Sequence, residues 1–207
     1  IANDYHITII SDEVYEHLIY DGLKHISPAR FSDEVITVNA VSKTYAMTGF
    51  RLGYLAARDE YIEQMLKIHQ YIQACASSIS QKAALAAITG PQECVAEMRS
   101  EFKRRRDLAV EALRAMGMEF SVPKGAFYIF PQVKDEKEFV ETLRRKKIIV
   151  TPGSAFGSLG KNHVRISYAT SFENLKRAFE IISFSAKEHG VFYKDVSFAS
   201  HTSDKLL

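Results

Sequence analysis

The sequence predicts an α/β fold, and three observations point there. Short β-branched runs, Ile7-Thr8-Ile9-Ile10 and Val35-Ile36-Thr37-Val38, each stop at polar residues, as buried strands do when they deliver side chains to a sheet edge. Apolar residues then recur at helical spacing as far as about Met116. After Gly117 the texture shifts to short strand-like runs alternating with helical segments.

Taken in order, the first run ends in Ser11-Asp12-Glu13 and the second in Asn39-Ala40-Val41-Ser42-Lys43, while Arg51-Leu52-Gly53-Tyr54-Leu55-Ala56 reads as a third strand. Ligands of α/β sheets bind outside the carboxyl ends of the strands, where the first two runs carry chemically useful residues. Ile62, Met65, Leu66, Ile68 and Ile72 predict a helix over 59–77, and an Ala-rich helix over 80–88 closes at Gly90. Ser77, Ser78 and Ser80 fall at the break and are expected to cap it. Pro91 suits a first turn and Gly117 a C-cap, so the period predicts one helix of about 26 residues, roughly 39 Å, long enough to link two domains. Residues 120–122 and 127–130 read as strands joined by the turn Pro123-Lys124-Gly125. A helix follows over 135–146, then strands over 148–150 and 164–168. The last helix opens with Thr170/Glu173 as the better capping box and Ser171/Asn174 as the weaker, and runs to about Glu188. The tail over 191–207 has no clear period, and its polar end is expected to be disordered.

A chain of 207 residues, 46% hydrophobic and 25% charged, is an ordinary globular chain with room for one well-cored domain or two small ones. Its net charge of +2 gives no push toward nucleic acid or a membrane surface. The basic run from Lys103 to Arg106, flanked by Glu101 and Asp107, reads as a solvated helix face. Cys75 and Cys94 lack metal-like spacing, so a disulfide framework is not expected and a reducing compartment, the cytoplasm, is. His17, His69 and His163 show no partner spacing, and no metal site is expected. No apolar run approaches the roughly 20 residues needed to span a bilayer. The start, Ile1-Ala2-Asn3-Asp4-Tyr5-His6, has neither the basic flank nor the apolar core of a signal peptide, and it lacks an initiator Met. The chain is therefore expected to begin within a larger protein.

Lys43 is the residue on which a function turns. A lone lysine is ordinarily a solvated surface group. At a strand end, with Arg51 eight positions on, it could set an amine near an anion site. An amine that condenses with a carbonyl must lose its proton, which burial and nearby positive charge favour. The stretch Ser42-Lys43-Thr44-Tyr45-Ala46-Met47-Thr48-Gly49-Phe50-Arg51-Leu52-Gly53-Tyr54 resembles the cofactor-attachment signature of the class I aminotransferases. These belong to the fold-type-I pyridoxal-phosphate enzymes, and the resemblance is to the microbial aspartate/aromatic branch. It implies that Lys43 holds pyridoxal 5'-phosphate as an aldimine and that Arg51 binds the cofactor phosphate.

Upstream, Ser11-Asp12-Glu13-Val14-Tyr15-Glu16-His17-Leu18 resembles the strand-end motif of the same family. By that resemblance Asp12 pairs with the ring nitrogen and Tyr15 donates to the 3-oxygen. A carboxylate there keeps the pyridine protonated, so the ring can absorb electrons. Taken by itself, Asp12 reads equally as a helix N-cap and Tyr15 as a packing aromatic. Downstream, Asn162-His163-Val164-Arg165-Ile166-Ser167-Tyr168-Ala169-Thr170 resembles the strand whose arginine forks onto the substrate's α-carboxylate. Arg165 has the chemistry for bidentate pairing; the blander reading is a structural ion pair. Lys124-Gly125-Ala126-Phe127-Tyr128 and Thr151-Pro152-Gly153-Ser154-Ala155-Phe156-Gly157 resemble small-domain segments, the first setting Gly125 and Phe127 near the substrate's way in. The second reads equally as a plain connection, and Tyr45 as a packing residue.

The resemblance covers about residues 7–188. It implies the C-terminal part of the fold-type-I large domain, a three-layer α/β/α structure, over 1–100, and the small α+β domain over 101–190. It further implies a homodimer acting on an amino acid, aspartate first, and a 2-oxo acid. Nucleic acid and membrane are not expected as partners. The family's glycine/serine phosphate turn, its ring-stacking aromatic, its asparagine on the 3-oxygen and the partner-subunit tyrosine match no segment here. A fragment with little activity by itself is expected. Two alternatives share the motifs: a C–S β-lyase of sulfur amino acids, and an aminotransferase-like sensor domain of a transcription regulator.

Overall fold

The computed structural model describes residues 1–189, so the expected disorder over 191–207 lies outside the described residues. The protein divides into two compact units, Ile1–Glu101 with Lys124–Ala126, and Phe102–Pro123 with the chain from Phe127 onward.

The first unit holds a three-stranded sheet in the order β1 (Ile9–Asp12), β2 (Val35–Ala40), β3 (Gly53–Ala56). β1 and β2 run parallel with Asp12 opposite Val38, and β3 runs antiparallel to β2 with Gly53 opposite Ala40. The carboxyl ends of β1 and β2 therefore share an edge with the start of β3. β2 passes directly into a short helix, α1 (Val41–Thr44). The third strand is shorter than its sequence suggests. Arg51 takes a left-handed φ of 53° after a 3-10 turn at Thr48–Phe50, so the pleat starts only at Gly53.

α2 (Asp59–Ile72) ends before residue 77, and Ala74 just beyond it has a φ of 60°. α3 (Ser78–Thr89) closes at Gly90, as expected. Ser80 does not cap; its hydroxyl donates to the Phe50 carbonyl at 2.7 Å, tying α3 to the turn before Arg51. α4 (Glu93–Ala115) starts two residues after Pro91, which precedes the helix rather than opening it. Its other end closes at Gly117, with φ 68° and Met118 N–H donating to the Leu113 carbonyl at 3.0 Å.

The first unit is sparsely cored. Among the described residues α2 buries none, and β3 is exposed along its length. Ile10, Leu66, Ile68 and Ile72 are all more than half exposed.

The second unit is an α+β arrangement with a dense core. Its antiparallel sheet runs β4 (Tyr128–Ile129), β6 (Val164–Ser167), β5 (Thr151–Pro152), accompanied by α5 (Glu136–Arg145) and α6 (Phe172–His189). Leu113 of α4 and Met116 just beyond its end, Phe139 and Leu143 of α5, Leu175, Phe179 and Ile182 of α6, and Ile129, Val164 and Ile166 of the sheet are buried.

Four local expectations fail here for identifiable reasons. Residues 120–122 stay outside the sheet, because the chain after them bonds elsewhere: Tyr20 N–H donates to the Lys124 carbonyl at 2.9 Å and Ala126 N–H to the Leu18 carbonyl at 2.8 Å. Residues 148–150 gain no partner strand; pairing with β6 begins at Thr151, opposite Arg165. The weaker capping box opens α6, with Asn174 N–H donating to the Ser171 hydroxyl at 3.2 Å. Finally, Arg106 is buried rather than solvated and donates to the Pro123 carbonyl at 3.0 Å, so the basic run is only partly a surface face.

Candidate active site

Three of the residues singled out in the sequence lie along one edge of the first unit's sheet. Asp12 ends β1 and is exposed, and its Oδ1 accepts from the Val14 N–H at 3.2 Å, which stabilises the turn that follows. Lys43 is half-buried on α1, where Ala40 has brought the chain from β2. Arg51, two residues before the Gly53 that pairs with Ala40, donates through Nη1 to the Thr48 carbonyl at 2.9 Å. Gly53 allows β3 to lie close at this point, since a Cβ there would stand 3.0 Å from the Asn39 carbonyl oxygen.

Asp12 and the half-buried Tyr15 line a cleft of about 500 Å³, together with Glu13, Glu16, His25 and Gly125. Lys43 and Arg51 are not among its lining residues; the strand register, not a shared wall, sets them on the same edge. Gly125 belongs here because a side chain would collide with the Leu18 carbonyl oxygen at 2.8 Å. Phe127 is a core ring of the second unit, stacked on Phe102 with centroids 5.2 Å apart.

Arg165 stands on β6 of the second unit, half-buried between the buried Val164 and Ile166. Its guanidinium carbon lies 4.5 Å from the Tyr128 ring centre and 4.6 Å from that of Phe156. Among the described residues no oxygen accepts from it and no carboxylate pairs with it, so the structural ion pair entertained from sequence is not formed.

Sequence reasoning passed over the groups that brace the turn after Asp12. Glu13 is buried, and its carboxylate accepts from the Ser27 hydroxyl at 2.7 Å and meets His25 Nε2 at 2.6 Å. Its N–H donates to the Val38 carbonyl at 2.8 Å, fastening the turn to β2. Glu16 accepts from the buried Asn39 Nδ2 at 2.6 Å, while Asn39 Oδ1 caps the Ala40 N–H at 2.8 Å. Asn39 thus joins the turn that carries Tyr15 to the entrance of the helix that carries Lys43. Ligand atoms of Glu13, Glu16 and His25 lie within 4.8 Å of one another, but these hydrogen bonds already engage them as a scaffold. No local pattern separates Glu13 from a solvated neighbour of Asp12; its partners arrive from 12 and 14 residues away.

Burial pushes the Glu13 pKa up, but hydrogen bonds from Ser27, His25 and Ser11 and the charge of His25 outweigh it and hold the carboxyl below its ordinary value of 4.5. A depressed carboxylate contributes stability that is complete above its unfolded pKa and is lost as pH falls through the folded one. The stability advantage of the parent over Glu13→Gln, measured by urea unfolding, is expected to be constant near neutrality and to shrink once pH drops below about 4.5. An advantage that grows on acidification would contradict this.

A family model described as aminotransferase class I and II matches residues 1–182. The chain is 48% identical over 191 residues to a probable aspartate aminotransferase of Methanocaldococcus jannaschii, covering 88% of this chain and 50% of that protein. It is 44% identical over 197 residues to aromatic-amino-acid aminotransferase 2 of Thermococcus litoralis, covering 90% and 51%. The crystal structure of an aromatic aminotransferase from Pyrococcus horikoshii superposes with a TM-score of 0.87 at 44% identity, over 91% of this chain and 53% of that one. The chain spans about half the length of the curated relatives it matches.

Proposed function

The chain belongs to the aminotransferase class I and II family, and on that premise we propose that it forms the carboxyl-terminal half of a pyridoxal-phosphate-dependent transaminase with Lys43 as the catalytic lysine. The observation that carries this reading is the sheet edge shared by Asp12, Lys43 and Arg51. The donor set fits pyridoxal 5'-phosphate: an amine for the aldehyde, a carboxylate for the ring nitrogen, a phenol at Tyr15 for the 3-oxygen and a guanidinium for the phosphate. Bound there, the cofactor supplies an electron sink that makes the substrate's α-carbon acidic.

The protein's own groups divide the remaining work. Lys43 Nζ would take the proton from the substrate's α-carbon as a general base and, as the resulting ammonium, deliver it as a general acid to the carbon that carried the aldehyde. Asp12 keeps the ring nitrogen protonated through its negative charge. Arg51 holds the phosphate end, and Arg165 forks onto the α-carboxylate.

On this reading residues 1–100 are the C-terminal part of the large domain and 101–190 the small domain of a fold-type-I enzyme that acts as a cytoplasmic homodimer. The bare apolar faces of the first unit and the half-length match to the relatives support it. Among the described residues no helix is long and apolar enough to cross a membrane. Aspartate is the first amino donor to try, with aromatic amino acids next, as the relatives' names suggest.

In the full-length protein, labelled nitrogen is expected to move from aspartate to a 2-oxo acid without free ammonia. Ammonia and pyruvate released from a sulfur amino acid, with no exchange, would favour the lyase. The 207-residue chain by itself is expected to show little or no turnover, and robust exchange by it would overturn the half-enzyme reading.

A further inference from the structure

We propose that the rings of Tyr128 and Phe156 are positioning groups that hold the Arg165 guanidinium ready for a substrate carboxylate. The inference rests on the assignment of Arg165 to that carboxylate and adds what prepares the arginine for it.

The five N–H donors of a guanidinium lie in its plane, so a ring over its face blocks none of them. The guanidinium carbon lies over both rings, 4.5 Å from the centre of Tyr128 and 4.6 Å from that of Phe156, and among the described residues no acceptor takes its N–H groups. A guanidinium seated against two rings, with no acceptor on its N–H groups among the described residues, is held in place and still has donors for a bidentate carboxylate. Ring contact also restricts a long, flexible stem before substrate arrives, so less freedom is lost on binding. It displaces water from the charge as well, which strengthens a later ion pair.

Each ring is itself held. Tyr128 pairs with Ser167 across the β4–β6 ladder, two residues from Arg165 and on the same face. Phe156 lies edge-on to Phe130 with centroids 6.1 Å apart at 77°, and Phe130 stacks on His163 at 5.1 Å and 5°. The loop that presents Phe156 is pinned where Gly153 and Gly160 touch. A Cβ at Gly153 would lie 2.2 Å from the Gly160 carbonyl oxygen, and one at Gly160 2.0 Å from that of Gly153.

The test uses the full-length holoenzyme, with succinate as a carboxylate probe in calorimetry and steady-state kinetics alongside. Phe156→Leu and Tyr128→Leu are each expected to raise the succinate Kd and the amino-acid KM by about three- to thirty-fold, with kcat little changed. Phe156→Tyr and Tyr128→Phe keep the ring and are expected to restore parental values. Phe156 is half exposed, so its replacement opens no core. A companion Arg165→Lys variant separates the two ideas. If it weakens succinate while the leucine variants do not, the clamp is overturned and the carboxylate assignment stands. If it changes nothing, the assignment itself falls, and the clamp with it. A loss of affinity that the ring-preserving variants fail to restore would also overturn the proposal.

Discussion

Turnover by the full-length protein is expected to fall by about 10⁴-fold or more when Lys43 becomes alanine, because one amine serves both as the point of covalent attachment and as the base. The substitution is structurally mild. Lys43 is half-buried on a four-residue helix whose buried positions are Val41 and Thr44, and alanine is a good helix former. Folding is therefore expected to survive, and circular dichroism should match the parent. Borohydride reduction followed by mass spectrometry gives the direct readout. The parent should gain the cofactor's mass on the peptide containing Lys43, and the variant should gain none. Covalent labelling at another lysine, or retained turnover, would remove Lys43 from the mechanism.

Asp12→Asn is expected to reduce kcat by about 10²- to 10³-fold while covalent attachment at Lys43 persists, the scale on which one preorganised charge contributes to a transition state. Asparagine keeps the carbonyl oxygen that accepts from Val14, so the turn should hold its shape. What it lacks is the charge that keeps a facing pyridine protonated. The two variants therefore separate attachment from electron withdrawal. A kcat loss for Asp12→Asn accompanied by loss of attachment would mean that the residue shapes the pocket instead.

The first two strands were legible because their β-branched runs and the polar residues that end them are local signals. So were the C-terminal closures at Gly90, where a Cβ would stand 2.6 Å from the Ala86 carbonyl oxygen, and at Gly117, whose left-handed φ of 68° favours glycine. What escaped was set by distant partners. Residues 123–125 look like a hairpin turn, yet the backbone of Lys124 and Ala126 is taken up by Tyr20 and Leu18, more than a hundred positions upstream. The same holds for the site. Asp12, Lys43, Arg51 and Arg165 sit in motifs whose order and spacing survive in one dimension. Glu13, Asn39, Tyr128 and Phe156 acquire meaning only through His25, Ser27, Glu16 and Arg165, brought to them by folding.

Arg51 occupies a backbone conformation that costs a side-chain-bearing residue about 1–2 kcal/mol and glycine almost nothing. Position 51 is thus a place where durability and affinity diverge. A library sorted for heat resistance should drift toward glycine there, whereas one sorted for retention of a phosphorylated ligand should keep the guanidinium and tolerate the tension.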